Sequence, residues 1–168
     1  MEKQLTVAEI AEQWSGVVAT ELIMRKEERF SGVGLGLPGA SAEFEASQSG
    51  DVVVFIPQES KELNPISISD TDPEKGDVVW LLSPNLANDS LVHRAISVSV
   101  IHDGFLVYEF DEPIVIAGTS GAPIVNEEGL IVAVHRGGGT NDGKTIGVGT
   151  LANRFLPSLN GEIKKNSP

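Results

Sequence analysis

The chain has 168 residues, of which 40% are hydrophobic and 21% charged, so it is long enough for a folded core and too apolar for a disordered chain. Its 12 basic and 24 acidic residues give a net charge of −12, which argues against nucleic acid or an anionic membrane as the main partner. It contains no cysteine, so neither disulfides nor thiolate metal ligands contribute to the fold. We expect no metal and no cofactor.

The N-terminal segment predicts a short helix. Thr6 and Glu9 form a capping box, and apolar residues recur at helical spacing from Val7 to Trp14. Residues 1–13 contain no apolar run typical of a signal peptide, and no stretch of the chain is long enough to span a membrane. We therefore expect a cytoplasmic protein, with a secreted form as the alternative.

From Ser15 onward the hydrophobic period falls to two, which predicts strands at Gly16–Met24 and Phe30–Leu37, joined by a charged turn at residues 25–28. The glycines of residues 34–39 match the dinucleotide-binding pattern G-x-G-x-x-G. We reject that site because Pro38 opposes the helix that must follow the pattern.

Asp51 opens a β-branched strand that runs through Phe55. On the residues alone, such an aspartate is most often a hydrogen-bond acceptor at a strand end. Residues 64–76 are rich in proline, aspartate and serine and predict a linker. The predicted domain therefore has a first part at residues 15–63 and a second part at residues 77–155.

The second part predicts a succession of short strands separated by glycine-containing turns, which is typical of an all-β protein. The predicted strands are Asp77–Ser83, Val92–Ile101, Phe105–Phe110, Ile114–Ile116, Ile124–Val125, Leu130–His135 and Thr145–Gly149. The predicted turns lie at residues 102–104, 126–129 and 141–143, and Ala152–Leu159 predicts a terminal helical turn.

The stretch Gly118–Pro123 carries the strongest chemical signal, because Ser120 has a glycine on its C-terminal side and Gly118 two residues before it. Glycine permits backbone angles that a β-carbon forbids, so the turn can present one hydroxyl and direct its amides into the same space. An oxyanion hole needs donors fixed in this way. The alternative is a simple turn that leads into a strand.

Together with the hairpin that ends at His135 and the glycines after it, this stretch resembles the nucleophile region of the chymotrypsin-like (trypsin-fold) serine peptidases. It is most similar to the glutamyl endopeptidases and their viral relatives. The resemblance implies two antiparallel six-stranded β-barrels, the first one shortened here. It also implies that Ser120 is the nucleophile and that the Gly118 and Ser120 amides form the oxyanion hole. Asp51 would be the triad aspartate.

The same resemblance implies a substrate cleft along the strand after the serine hairpin. His135 would line the S1 pocket, and Arg136 is a second possible partner for an acidic side chain. Gly137 and Gly138 would border the cleft, where an extended peptide or protein segment adds by backbone hydrogen bonds.

The sequence departs from the family pattern at the general base. A serine hydroxyl needs a base to take its proton, and in this family a histidine before the aspartate does so. The three histidines here are His93, His102 and His135, all after Asp51.

Three hypotheses follow from this departure. The first is a degenerate peptidase (a pseudoenzyme) that acts as a binding or regulatory module. The second is an active serine endopeptidase that prefers glutamate before the cleaved bond. The third is an unrelated β-barrel binding protein that mimics the motif.

Overall fold

In a computed structural model of the chain, the described residues are 18–20, 27–36, 52–57, 65–83, 91–101, 104–157 and 160. The chain divides into two compact units, one of Met1–Asn64 with Pro157–Pro168 and one of Pro65–Leu156. Asp51, His102 and the predicted helix of residues 6–14 lie outside the described residues. Within the part that is described, no helix is long and apolar enough to cross a bilayer.

The first unit contributes an antiparallel three-stranded sheet in the order β1-β2-β3. The strands are β1 (Val18–Thr20), β2 (Glu27–Gly36) and β3 (Val53–Pro57). β2 begins inside the segment predicted as a charged turn, because Glu27 pairs with Thr20 at the start of the ladder. The six-stranded first barrel stays a prediction.

The second unit is a closed antiparallel barrel of six strands in the order β4-β5-β6-β9-β8-β7. The strands are β4 (Val78–Leu82), β5 (Val92–Ile101), β6 (Phe105–Phe110), β7 (Pro123–Val125), β8 (Ile131–Asn141) and β9 (Lys144–Leu151). This confirms the all-β class and one predicted six-stranded barrel. Residues 152–157 are helical, within the predicted helical turn.

The barrel interior is filled by alternate residues of its strands, because successive side chains of a strand point to opposite faces. On β6, for example, Leu106, Tyr108 and Phe110 are buried, whereas Val107 and Glu109 are half-buried. The buried core cluster is Val79, Leu81, Ala95, Leu106, Tyr108, Phe110, Ile124, Val132, Ala133 and Leu151.

Two predicted strands of the second unit differ from the structure. Residues 114–116 form no strand, and the side chains of Ile114 and Ile116 pack instead against the core cluster. β8 continues past His135 to Asn141 and is paired with β9 throughout that extension. A two-residue turn with positive φ at Asp142 (49°) and Gly143 (79°) closes this hairpin, as such turns do in twisted ladders.

The predicted linker is attached to the second unit's own barrel. Ile131 donates its amide proton to the Ser67 carbonyl, and Ser69 donates to the Ile131 carbonyl, both at 2.8 Å. Ile68 thereby forms a parallel bridge with Ile131, at the first residue of β8. The start of β8 is thus held from both the linker and β7.

Candidate functional site

The serine turn lies between the irregular segment 113–116 and β7. Gly118 (φ 81°) and Gly121 (φ 90°) both adopt the left-handed region, which glycine enters without strain. The buried Thr119 fixes the turn from inside, because its hydroxyl donates to the Ile116 carbonyl at 2.7 Å. Ser120 itself is exposed. The local sequence therefore folds as predicted, into a tight turn that presents one hydroxyl.

The turn is fastened to β8 through backbone groups of His135. Gly121 donates to the His135 carbonyl at 2.7 Å, and His135 donates to the Ala122 carbonyl at 2.8 Å. These bonds continue the β7–β8 ladder beyond its last strand pair, Pro123 with Val134. The backbone of His135, rather than its side chain, thus meets the serine turn.

The Ser120 hydroxyl donates to the Arg136 carbonyl, with 3.2 Å between Oγ and the carbonyl oxygen. Arg136 is the extra residue of a β-bulge, since the register with β9 shifts between His135 and Gly137. Bulges bend a strand and redirect its polar groups. The serine proton is therefore held by a backbone acceptor, which cannot remove it as a general base does.

The amides of Gly118 and Ser120 donate no hydrogen bond to any other described residue. Both groups belong to the turn that the flanking glycines shape, where two such donors could stabilise an oxyanion. Their role as an oxyanion hole stays a prediction.

His135 has its side chain in the barrel interior, where 1% of the residue is exposed. Its Nδ1 is hydrogen-bonded to the Tyr108 hydroxyl. Burial lowers the pKa of His135 from 6.5 to about 4, and burial raises the pKa of the Tyr108 phenol. The phenol therefore stays protonated. Because its proton has no other acceptor among the described residues, we assign the phenol as the donor to Nδ1, which places the proton of the neutral imidazole on Nε2. That Nε2 is buried, with no partner among the described residues.

The Tyr108–His135 pair is held by close packing. The Tyr108 ring lies over Gly147, where a β-carbon would come within 2.4 Å of a ring carbon, and it meets the Phe110 ring edge-on at 5.3 Å. A β-carbon at Gly138 would lie 2.0 Å from the Ile146 carbonyl oxygen. Gly147 is therefore required by the packed interior, whereas the exposed Gly138 is required by the close approach of the β9 backbone.

The residues predicted to border the cleft lie on β8. The Arg136 guanidinium carbon stands 4.9 Å from the centre of the buried Phe105 ring, within cation–π distance. Gly137 pairs with Val148 of β9. On the other side of β8, residues 137–140 pair with no strand in the described ranges.

His93, the other histidine among the described residues, also makes a structural contact. His93 is buried, and its Nε2 lies 2.9 Å from the Ser83 carbonyl oxygen. The structure thus brings Ser120, two residues after Gly118 in the same turn, into contact with Arg136, and it bonds this turn to the His135 backbone. It offers Ser120 no imidazole from the described residues. Asp51 is not among those residues.

A separate cavity of about 410 Å³ lies between the linker, the start of β4 and the β7–β8 turn. Its lining includes the acidic residues Asp72, Asp77, Glu127 and Glu128. No group of three or more His, Cys, Asp or Glu residues among those described is arranged to hold a metal ion.

No family model and no curated protein matches the chain. Solved structures do match. The inactive form of the Rv3671c protease of M. tuberculosis is 15% identical with a TM-score of 0.60, covering 92% of this chain and 73% of that one. A mutant of human heparin binding protein is 14% identical with a TM-score of 0.64, covering 86% and 69%. The HtrA-type protease AlgW with a decapeptide is 14% identical with a TM-score of 0.63, covering 88% and 44%.

These neighbours show that the chain has a trypsin-like serine protease fold. At this level of identity they show the fold alone, and both proteases and a protein named for heparin binding share it. The fold that the resemblance implied is therefore confirmed, with one of its two barrels resolved.

Proposed function

We propose that the chain binds an extended peptide or protein segment at the β8 edge beside Ser120 and does not hydrolyse it at a significant rate. It would then be a degenerate peptidase that serves as a binding or regulatory module. The observation that carries the proposal is the hydrogen bond from the Ser120 hydroxyl to the Arg136 carbonyl. The two described imidazoles are held by other groups, and no histidine precedes His93 in the sequence.

The chemistry supports the absence of turnover. An unactivated serine hydroxyl is a weak nucleophile, and attack on a carbonyl requires a base that accepts its proton. Removal of the serine or histidine of a catalytic triad lowers the rate on the order of a millionfold, and the residual catalysis comes from the oxyanion hole and substrate binding. The serine turn can therefore retain a binding role after the base is lost.

The peptide-binding part rests on the edge of β8. A strand edge presents unpaired N–H and C=O groups, and an extended peptide can add to it as a further strand. The AlgW structure contains a decapeptide, which supports peptide binding as a property of at least one protein with this fold.

Selection of a glutamate side chain, as in the glutamyl endopeptidases, is the finer part of the proposal. The Nε2 proton of His135 is an unused donor for a carboxylate or amide oxygen. The net charge of −12 opposes an acidic peptide at long range, but salt screens this repulsion beyond roughly 8–10 Å. A hydrogen bond to a charged group contributes about 1.5–3 kcal/mol and would outweigh it locally.

The second candidate function is an active serine endopeptidase with the same glutamate preference. The amides of Gly118 and Ser120, which have no partner among the described residues, favour it, because two such donors would stabilise an oxyanion. It requires a base that the described residues do not supply.

A fluorophosphonate probe distinguishes the two candidates. We expect Ser120 to be labelled slowly and incompletely, whereas an active trypsin-like protease in the same assay reacts rapidly. The matched control is Ser120→Ala, which sets the background. Rapid stoichiometric labelling that disappears in Ser120→Ala would establish the endopeptidase instead.

A further inference from the structure

The contact between Ser120 and Arg136 involves a group that a bound peptide would need. Backbone pairing of β8 with the β7 side ends at His135, whose N–H and C=O are both bonded to the serine turn. The Arg136 carbonyl is therefore the first acceptor of the β8 edge beyond that pairing. In the structure this acceptor is occupied by the Ser120 hydroxyl.

We propose that Ser120 is a built-in competitor of the peptide, because its hydroxyl caps the carbonyl to which the first N–H of an added strand would bind. The proposal rests on the proposed peptide-binding function and assigns a regulatory role to the residue at the nucleophile position. The serine thereby lowers the affinity of the edge for any extended segment.

The cap is reversible because of its surroundings. Ser120 is exposed, so its hydroxyl can turn to water when a peptide arrives, and rotation about one side-chain bond is sufficient. The Arg136 carbonyl is less free to move. It belongs to a bulge in β8, and the side chain of the same residue is stacked on the buried Phe105. The competition is therefore between a mobile hydroxyl and an incoming N–H for one fixed oxygen.

The expected size of the effect is that of one neutral hydrogen bond at a solvent-exposed site. In wild type this hydrogen bond must break before the peptide binds, which lowers the affinity for the peptide by roughly two- to tenfold. Ser120→Ala, which removes the competing hydroxyl, should bind peptide more tightly by that factor. This is opposite to the weakening expected if the hydroxyl contacted the peptide.

The experiment titrates acetyl-Ala-Ala-Ala-Glu-amide into wild type, Ser120→Ala and the matched control Ser67→Ala, a substitution at an exposed serine of the linker. A set of peptides N-methylated at one backbone amide at a time is titrated alongside. We expect Ser120→Ala alone to gain affinity, and the gain to disappear for the one peptide whose methyl group blocks the N–H that faces Arg136. No gain, or an equal gain for every methylated peptide, overturns the proposal.

A second measurement tests the cap without peptide. The ¹³C resonance of the Arg136 carbonyl should shift upfield in Ser120→Ala, because the carbonyl loses a hydrogen bond, and an unchanged shift contradicts the cap. If the carbonyl shifts but neither protein binds any peptide, the proposed function fails and the competition with it. Binding without a gain leaves the proposed function intact and refutes only the competition.

Discussion

The serine turn and the Tyr108–His135 pair involve neighbouring residues of β8, Arg136 and His135, and face opposite environments. Ser120 is exposed and donates to a backbone carbonyl, whereas the His135 side chain is buried and bonded to a phenol. The difference arises because a strand directs its side chains to its two faces and its polar backbone groups sideways, in the plane of the sheet. The same residue, His135, therefore supports the turn with its backbone and the core with its imidazole.

The comparison shows how one strand serves two purposes. At the exposed serine turn, the hydrogen bond between Ser120 and the Arg136 carbonyl can be replaced by one to water or to a peptide. The inner arrangement is enclosed by Phe110 and Gly147, so its single hydrogen bond is kept from water. Substitutions that change only the packing of the interior should accordingly alter stability, and substitutions at the turn should alter binding. His135 should affect both, because its Nε2 has no partner among the described residues.

The largest expected effect concerns the buried imidazole and pH. Because burial lowers the pKa of His135 to about 4, the unfolded chain takes up a proton near pH 6.5 while the folded chain does not. The contribution of the neutral, buried imidazole to the free energy of unfolding is complete above pH 6.5 and is lost as the pH falls toward 4. The loss amounts to about 3 kcal/mol, at 1.36 kcal/mol per pKa unit. Urea unfolding of wild type and His135→Met at pH 7 and pH 4 measures it.

The His135→Met variant provides the reference for the urea unfolding experiment, since all other titrating groups are common to both proteins. Wild type should lose about 3 kcal/mol more than His135→Met between the two pH values. Parallel losses would show that the imidazole titrates normally and is therefore accessible to water, which would remove the contrast between the two regions.

The sequence predicted the β-strands of the second unit better than it predicted the environment of the site. β5 and β6 have the predicted bounds, because both show apolar residues between clear turn signals. Ile114–Ile116 is as apolar as a strand, but no neighbouring strand pairs with it among the described residues, and it packs on the core instead. β8 was predicted too short, because Gly137–Gly139 have little strand propensity and are held by pairing with β9.

Around the site, the tight glycine turn could be read from Gly118–Pro123, since positive φ angles favour glycine. The Tyr108–His135 hydrogen bond could not, because the two residues are 27 positions apart and meet through the barrel order. One signal was present: Tyr108 alternates with Leu106 and Phe110, and a buried phenol needs a partner. The contact of Ser120 with Arg136 depends on a bulge that no residue pattern indicates.

A smaller effect tests how tightly the interior is closed. Gly147→Ala would place a β-carbon 2.4 Å from the Tyr108 ring and should destabilise the protein by about 1–3 kcal/mol through overpacking. The matched control is Gly139→Ala, eight residues away along the same hairpin, where a β-carbon meets nothing within 4 Å. Chemical denaturation should show a change within about 0.5 kcal/mol for the control. Equal losses in both variants would mean that the ring can yield.

The smallest expected effect concerns the preference of the site for a glutamate over a glutamine side chain and how that preference depends on pH. A histidine with an ordinary pKa would become charged between pH 8 and pH 5 and would increasingly favour glutamate over glutamine. Because burial lowers the pKa of His135 to about 4, its imidazole stays neutral over this range, and its strength as a donor to either oxygen does not change with pH. The ratio of the affinities of acetyl-Ala-Ala-Ala-Glu-amide and its glutamine counterpart should therefore be constant from pH 8 to pH 5. His135→Ala should weaken the glutamate peptide more than the glutamine peptide, by the same factor at every pH in this range. A preference for glutamate that grows as the pH falls, and that disappears in His135→Ala, would show that a peptide brings the imidazole out of the interior environment. The separation between the turn and the buried pair would then hold only for the free protein.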